Sequence, residues 1–238
     1  MSPGDLRIIL AMLRGPGTAR ASHADRLQRL YRDQASAYDR FRAGFLHGRR
    51  ELVERIPVGP GARIVELGAG TGSNLEHFGD RLGAFSSVFL VDLCPALLEV
   101  ARARCSRPGR RHVRVLAGDA CVWQPPDGRP VDAVLFSYAL TMIPDWFRAV
   151  DNALAMLRPG GWIGSADFHL SRTRHGATAR AFWRAWFGHN AVHPSPDHLP
   201  YLSHRARPVH VSERAGPIPY VPLLRAPYYL FVGQKPAA

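Results

Sequence analysis

Three acidic residues, Glu66, Asp92 and Asp119, have the spacing and the surroundings of a ligand site. Each comes at or just after the end of a short apolar run that resembles a buried strand. Parallel strands have their carboxyl ends at one edge of a sheet, so we expect the three carboxyl groups to lie together there. Three acids disfavour a pyrophosphate but suit a nucleoside that has a positive charge and no phosphate. Asp92 is placed to accept hydrogen bonds from both ribose hydroxyls.

A glycine-rich turn follows the first of these apolar runs, in the order Glu66-Leu67-Gly68-Ala69-Gly70-Thr71-Gly72. Glycine permits a sharp turn and lets a ligand come close to the backbone. The spacing G-x-G-x-G differs from the G-x-G-x-x-G fingerprint of dinucleotide sites. Ser73 or Asn74 is predicted to cap the next helix, whose free N–H groups would face an anionic group such as a carboxylate or a phosphate. The stretch predicts a strand, a loop and a helix that bind a nucleotide-type cofactor.

The order of these motifs resembles that of the class I S-adenosylmethionine-dependent methyltransferases. An acid-x-Gly-x-Gly-x-Gly sequence comes first, Asp92 follows twenty residues after Gly72, and Asp119 lies within Gly-Asp-Ala. Arg-Pro-Gly-Gly at 158–161, before the fifth predicted strand, is also similar to this family. The resemblance implies S-adenosylmethionine as the cofactor. The cofactor-binding residues that it implies are Tyr38, Glu66, Gly68, Ala69, Gly70, Asp92, Leu93, Asp119, Ala120 and Ser137.

Strand-like and helix-like runs alternate along most of the chain, which predicts a doubly wound α/β fold. The expected sheet is mostly parallel and seven-stranded, with an antiparallel hairpin at its C-terminal edge. Residues 1–56 are predicted as N-terminal helices that serve as membrane-surface and lid elements. Residues 57–238 are predicted as the methyltransferase domain, with an acceptor-side insertion at about 169–208. Predicted strands lie near 64–67, 87–92, 110–116, 131–136, 162–168, 209–212 and 228–232, and predicted helices at 6–14, 24–38, 41–56, 73–82, 95–105 and 146–157.

The last third of the chain carries a second and more specific set of motifs. They are Phe182-Trp183-Arg184-x-Trp186-Phe187, then His193 and Asp197-His198-Leu199-Pro200-Tyr201-Leu202, and finally Pro222-Leu223-Leu224-Arg225-Ala226-Pro227-Tyr228-Tyr229. They resemble the methyltransferase part of betaine-lipid synthesis, over roughly residues 30–235. The resemblance implies methylation of the amino group of diacylglyceryl homoserine to a trimethylated betaine lipid.

Four residues are the expected catalytic groups on the acceptor side. Tyr138 follows the fourth predicted strand, and His169 directly follows the fifth. His198 and Tyr201 belong to a histidine- and proline-rich segment, 189–201, that is predicted to be a loop. A loop of this length inside a compact domain is usually functional. Orientation of the acceptor is the main task expected of it, because methyl transfer is an in-line displacement.

The chain is strongly basic, with a formal net charge of +12 and a pI near 10.7. This charge favours a polyanionic partner, either an anionic membrane surface or a nucleic acid, although an arginine-rich composition alone can produce it. No Asn/Asp-Pro-Pro-Tyr sequence follows the fourth predicted strand, which weighs against a DNA amine methyltransferase. The predicted partners are a lipid substrate at an anionic membrane and the enzyme that makes the homoserine lipid.

Cysteine and apolar content indicate where the protein works. The three cysteines have no paired spacing, so reduced thiols and a cytoplasmic protein are expected. No apolar run approaches the roughly 20 residues that span a bilayer, so membrane association is predicted to be peripheral. Neither the cysteines nor the irregularly spaced histidines predict a metal site.

Two other functions are compatible with the sequence. A methyltransferase for another small hydrophobic acceptor, such as a quinone, would have the same cofactor motifs. A non-catalytic, nucleic-acid-binding domain of this fold would have the same charge. Some residues also have purely structural explanations. Trp183 and Trp186 suit a core as well as a cage for a quaternary ammonium, Tyr31 and Tyr38 suit helix packing as well as a lid, and His169 suits a lining role as well as proton transfer.

Overall fold

The protein forms a seven-stranded mixed sheet. Its structure is a computed structural model that describes residues 44–188, 192–219 and 221–237. The strands are β1 (Arg63–Leu67), β2 (Ser87–Asp92), β3 (Val113–Ala117), β4 (Val131–Ser137), β5 (Leu157–Phe168), β6 (Arg207–Ile218) and β7 (Val221–Gln234). The helices are α1 (Arg49–Arg55), α2 (Pro95–Cys105), α3 (Trp146–Met156), α4 (Ala177–Gly188) and α5 (His198–Arg205), with a 3-10 segment at Ser73–Ala84.

The sheet has the order β3-β2-β1-β4-β5-β7-β6. β1 pairs in parallel with β2 and β4, β2 with β3, and β4 with β5. β7 pairs antiparallel with both β5 and β6. The predicted doubly wound sheet with a C-terminal antiparallel hairpin is confirmed.

Both faces of the sheet are covered, because successive strand residues point to opposite sides. Val65 and Leu67 of β1 belong to one apolar cluster, which also contains Ala149 of α3. Ile64 of β1 belongs to the other, which contains Leu52 of α1. All five side chains are fully buried. Burying an aliphatic side chain of this size stabilises a fold by about 1.5–3 kcal/mol, so these clusters hold the strands in register.

The five parallel strands end at the same edge of the sheet. The glycine turn follows β1, Asp92 ends β2, Gly118 follows β3, Ser137 ends β4 and His169 follows β5. Strands of one direction bring these positions together although more than 100 residues separate the first from the last. This edge is where α/β folds bind ligands.

The segment after the glycine turn differs from the predicted helix. Residues Ser73–Ala84 form a 3-10 helix with a break at Gly79, where φ is 55° and ψ is −136°. The residue at its N-cap is Gly72, and no side chain caps it, so the prediction of a Ser73 or Asn74 cap was wrong. The Asn74 side chain is buried and points back toward β1, which leaves it unable to cap the helix.

The predicted helix at 41–56 is shorter where the structure describes it. Helix α1 begins at Arg49, after Gly48 in the left-handed region with φ 79°. A Cβ at Gly48 would lie 2.9 Å from the Tyr228 ring, so the chain turns where only glycine fits. The helices predicted at 6–14 and 24–38, with Tyr31 and Tyr38, lie outside the described residues.

The predicted loop at 189–201 ends in a helix, α5, which begins at His198. Pro200 suggested a break, but it is the third residue of the helix. Its missing N–H would have had no intrahelical partner in the first turn, so proline is tolerated there. The prediction of a loop up to Tyr201 was therefore wrong for its last four residues.

The two C-terminal strands are longer than predicted. The sequence suggested strands at 209–212 and 228–232, whereas β6 and β7 have twelve and fourteen residues. Prolines 208, 217, 222 and 227 hid the extra length. They are tolerated because β6 is an edge strand, and because the part of β7 that precedes Tyr228 has no partner in β5.

In the part of the chain that the structure describes, no helix has the length and apolar character needed to cross a membrane.

Candidate functional site

The glycine turn after β1 is fastened to the end of β2. The backbone N–H groups of Gly68 and Ala69 both donate to the Val91 carbonyl oxygen, at 2.8 and 3.0 Å. The N–H of Gly70 donates to Oδ2 of Asp92 at 2.8 Å. The turn therefore lies directly over the carboxyl ends of β1 and β2.

Two of the glycines cannot be replaced without a collision. Gly68 has φ 71°, and a Cβ there would lie 2.5 Å from the Cβ of Ala139. Gly72 has φ 67°, and a Cβ there would lie 2.8 Å from Leu90 Cδ1. Both the left-handed backbone and the close approach require glycine. The spacing recognised in the sequence thus has a steric cause.

Asp92 organises both loops at this edge as well as offering a carboxylate to a ligand. Its Oδ2 accepts from Gly70, and its Oδ1 accepts the N–H of Cys94 at 2.8 Å. A carboxylate has about four acceptor positions, so these two hydrogen bonds are compatible with further acceptance from ribose hydroxyls. The carboxyl group is nearly buried, where such hydrogen bonds are strong.

Glu66 is a buried acid with an incompletely satisfied carboxyl group. Its Oε1 accepts from Asn74 Nδ2 at 2.6 Å, and Asn74 Oδ1 in turn accepts from Arg49 Nε at 2.8 Å. Its Oε2 is buried and has no hydrogen-bond partner among the described residues. Burial raises the pKa of Glu66 to about 7, against the opposing effects of Arg49 and Asn74. A bound cation or N–H donor would satisfy Oε2, which fits the amino-acid part of S-adenosylmethionine.

The other predicted cofactor residues lie at the same edge of the sheet. Asp119 is exposed, and its Oδ1 accepts the N–H of Cys121 at 2.8 Å. Ala120 is buried and Leu93 half-buried. The Oγ of Ser137 is buried without a hydrogen-bond partner in the described segments. Tyr38 lies outside the described residues.

At the end of β5, His169 lies beside Glu213 of β6. The Nε2 of His169 is 3.3 Å from Oε2 of Glu213. The Nδ1 of His169 is buried and has no hydrogen-bond partner of good geometry among the described residues. Burial lowers the pKa of His169, while Glu213 and the nearby Ser195 backbone oppose this shift. The ring is therefore neutral at pH 7 and able to accept a proton.

His198 is a second neutral imidazole near the first. Its side chain is fully buried, and neither ring nitrogen has a hydrogen-bond partner in the described part of the chain. It packs edge-on against Trp146 with ring centroids 4.7 Å apart. Both His169 and His198 contact the ring of Tyr229, at 5.5 and 6.4 Å between centroids. Burial and, to a smaller extent, the nearby His169 together lower the pKa of His198 to about 3.

A buried pair that sequence reasoning missed joins the ends of β4 and β5. Asp167 accepts from Thr141 Oγ1 at 2.7 Å and from the Thr141 N–H at 3.1 Å. The N–H of Phe168 also donates to Asp167, at 2.8 Å. Burial raises the pKa of Asp167 to about 6 although these donors favour the charged form. An acid inside the apolar strand sequence Gly-Ser-Ala-Asp-Phe was the signal that could have found it.

The two predicted catalytic tyrosines donate their hydroxyls within the protein. Tyr138 is buried, and its hydroxyl donates to the carbonyl oxygen of His47 at 2.8 Å. The Tyr201 hydroxyl donates to Oδ1 of Asp151 in α3 at 2.8 Å. Their catalytic roles stay predictions, and the unpaired ring nitrogens of the two histidines are the better placed acceptors. No cluster of metal-ligating side chains occurs among the residues that the structure describes.

Replacing His198 with phenylalanine tests whether the buried, neutral His198 ring makes the stability of the fold depend on pH. Its folded pKa lies below its ordinary value of 6.5, so the unfolded chain takes up a proton first as the pH falls. From about pH 6.5 downward, the wild-type protein should therefore lose more stability than the variant. Between pH 7 and pH 5, the free energy of unfolding measured with urea should fall by about 2 kcal/mol more in the wild type than in the variant. Parallel pH profiles would mean that His198 is accessible to water.

Comparison with known proteins agrees with this geometry. Residues 64–161 match the family model described as a methyltransferase domain. A demethylmenaquinone methyltransferase of Tropheryma whipplei (strain Twist) is 29% identical over 155 residues, which are 63% of this chain. The match spans 62% of the length of that relative.

Solved structures share the fold at low sequence identity. The N-methyltransferase NodS from Bradyrhizobium japonicum WM9, in complex with S-adenosyl-L-homocysteine, has a TM-score of 0.65 at 18% identity over 88% of this chain and 98% of its own. Phosphoethanolamine N-methyltransferase 2 of Haemonchus contortus has a TM-score of 0.69 at 15% identity over 91% of this chain and 60% of its own. The chain thus shares its fold with these methyltransferases, and the match of residues 64–161 to a methyltransferase domain supports S-adenosylmethionine as its cofactor.

Proposed function

We propose that the protein is an S-adenosylmethionine-dependent N-methyltransferase that converts diacylglyceryl homoserine to its trimethylated betaine lipid. The observation that carries the proposal is the pair of buried, neutral imidazoles, His169 and His198, on the acceptor side of the cofactor edge. His198 lies within the C-terminal motifs that resemble betaine-lipid synthesis, and His169 precedes them in the sequence. An amine must lose its proton before it can attack the methyl group, so an amine substrate requires a proton acceptor.

The cofactor supplies an electrophilic methyl group on a sulfonium. On the chain, Gly68 and Gly70 let the backbone approach the ligand, and Glu66 accepts hydrogen bonds from its amino-acid part. Asp92 accepts hydrogen bonds from the ribose hydroxyls. The remaining predicted contacts are Tyr38, Ala69, Leu93, Asp119, Ala120 and Ser137. Together these residues exclude water and align the methyl group with the acceptor.

His169 is the proposed proton acceptor. The substrate amine must be neutral to attack, and Nδ1 of His169 takes up its proton. Glu213, whose Oε2 lies 3.3 Å from Nε2, stabilises the charged ring. Burial lowers the pKa of His169 and so keeps the ring uncharged at neutral pH, while the nearby Glu213 favours the protonated form. His198 remains neutral and lines the site, which avoids repulsion of the cationic amine.

The substrate also determines where the enzyme acts. A diacylglyceryl lipid resides in a bilayer, and a chain with a net charge of +12 is attracted to an anionic one. We therefore propose a peripheral enzyme on the cytoplasmic membrane surface. Its proposed partner is the enzyme that makes the homoserine lipid.

A quinone is the second candidate acceptor, and the name of the Tropheryma whipplei relative favours it. A hydroquinone also needs to lose a proton before it is methylated, so His169 would act in the same way. A carbon acceptor does not end as a cation, however, and gains nothing from a neutral site of buried imidazoles and aromatic rings.

Turnover of the two acceptors by purified protein separates these functions. We expect methyl transfer from S-adenosylmethionine to diacylglyceryl homoserine with a kcat/KM at least about 100-fold above that for demethylmenaquinone. The control uses diacylglycerol, which lacks the amino group. A higher kcat/KM for demethylmenaquinone would replace the amine by the quinone as substrate.

A further inference from the structure

The β6–β7 hairpin extends past the edge of the sheet that carries the site. Pairing between β5 and β7 ends at Phe168 and Tyr228. Pairing between β6 and β7 continues to Ile218 and Val221. At about 3.3 Å per residue, the seven residues of β7 from Val221 to Pro227 project about 20 Å beyond the sheet.

The tip of this hairpin carries an exposed leucine in a strained conformation. Leu223 is fully exposed, and its φ is 70°. A bulky residue seldom adopts positive φ, and glycine or asparagine would avoid both the strain and the exposed apolar surface. A leucine that is both strained and exposed at this position indicates that its side chain binds something other than the protein itself.

Helix α4 adds exposed aromatic surface next to the hairpin. Its inner face buries Trp183 and Phe187, which belong to the same apolar cluster as Ile218 of the hairpin. Its outer face presents Phe182 and Trp186, which are 47% and 37% exposed and have ring centroids 6.0 Å apart. Trp183 is thus a core residue, whereas the outer pair resembles the aromatic side chains that lie at membrane–water interfaces.

The two segments that carry this surface contain arginines and no acidic residues. The sequence has no Asp or Glu from His169 to Pro196, a segment that contains four arginines. It has none from Ala215 to Tyr228 either, where Arg225 lies. Arg184 on α4 and Arg225 at the hairpin are both exposed. An apolar surface with Arg184 and Arg225 on its own segments complements anionic lipid headgroups, and acidic or neutral protein surfaces less well.

We propose that Leu223, Phe182 and Trp186 form a membrane-docking surface that inserts into the headgroup region of an anionic bilayer. The inference deepens the proposed function, on which it rests for the need to reach a lipid. Tyr138 and Phe168, at the ends of β4 and β5, belong to the same apolar cluster as α4 and the hairpin. The docking surface is therefore at the end of the sheet where the acceptor site lies. A lipid head group could reach the site while its chains remain in the bilayer.

Sedimentation with vesicles tests this surface without any methyl transfer. The probes are vesicles of phosphatidylcholine with or without phosphatidylglycerol, free of acceptor and cofactor. Leu223→Asp and Phe182→Ser should each lower the partition coefficient on anionic vesicles by about tenfold. Leu223→Gly should lower it similarly while the Tm stays equal or rises, because glycine relieves the positive φ.

Matched controls separate insertion from a general effect of surface polarity. Val209→Asp changes an apolar side chain of β6 that is 56% exposed, and Phe147→Ser changes one of α3 that is 43% exposed. Both should bind within about twofold of the wild type. Equal losses in controls and test variants, wild-type binding by Leu223→Asp, or equal binding to vesicles with and without phosphatidylglycerol would overturn the proposal. So would a dimer that Leu223→Asp dissociates, since the surface would then join two copies of this chain.

These results are independent of the substrate assay. If the test variants lose vesicle binding and the protein does not methylate diacylglyceryl homoserine, the docking surface is supported and the proposed acceptor is wrong. If the protein methylates that lipid and all variants bind vesicles as the wild type does, the acceptor is supported and the docking surface is wrong.

Discussion

Replacing His169 with glutamine should lower the rate of methyl transfer by at least about 100-fold. Glutamine can still donate a hydrogen bond to Glu213, but it cannot accept a full proton from the substrate amine. Cofactor affinity should stay within about threefold of the wild type, because His169 follows β5, which is two strands away from β1 and its glycine turn. Single-turnover kinetics and calorimetry on the same variant measure both quantities.

The pH dependence of this variant shows whether His169 acts on the proton. At higher pH, a larger fraction of the substrate amine is already neutral, so the variant should regain part of its rate. A residue with a purely structural role would give a constant loss across the pH range. Full activity of the glutamine variant, or equal losses of turnover and cofactor affinity, would remove His169 from this role.

The Asp92→Ala variant should bind S-adenosylmethionine at least about 100-fold more weakly than the wild type. It would lose two charge-assisted hydrogen bonds to the ribose, at about 1.5–3 kcal/mol each. It would also release the N–H groups of Gly70 and Cys94, which Asp92 holds at 2.8 Å in the structure. Calorimetric titration measures the affinity, and a thermal scan measures the loss of loop stability.

Two control variants separate these effects. Asp92→Asn keeps one oxygen acceptor and the side-chain shape, so its affinity should fall between those of the wild type and Asp92→Ala. Asp127→Ala removes an exposed acid that pairs at 2.7 Å with Arg63, the first residue of β1, and should not change affinity because the site lies at the other end of that strand. A folded Asp92→Ala protein with wild-type affinity would exclude Asp92 from the cofactor site.

Local patterns account for the parts of the fold that the sequence predicted. The glycine turn after β1 is recognisable because positive φ and close approach at Gly68 and Gly72 leave no other residue type. The parallel sheet is recognisable because its strands are short apolar runs separated by helical ones. Right-handed crossovers then place the connecting helices on the two faces of the sheet.

Long-range partners account for the parts that the sequence did not predict. Glu213 lies 44 residues from His169 in the chain, and nothing near Glu213 marks it as the neighbour of a histidine. The inward turn of Asn74 depends on Glu66 across the glycine turn, so a helix cap was expected in its place. Pro200 in the first turn of α5 likewise has the same local signal in a helix as in a loop.

The location of a transferred label tests the central claim most directly. Purified protein is incubated with methyl-labelled S-adenosylmethionine and vesicles that contain diacylglyceryl homoserine, and the extracted lipids are fragmented in a mass spectrometer. We predict label on the nitrogen of the homoserine head group, with a trimethylated species as the end product. Label on another lipid, or on a carbon or oxygen atom of any acceptor while the homoserine nitrogen stays unlabelled, would contradict the proposed function.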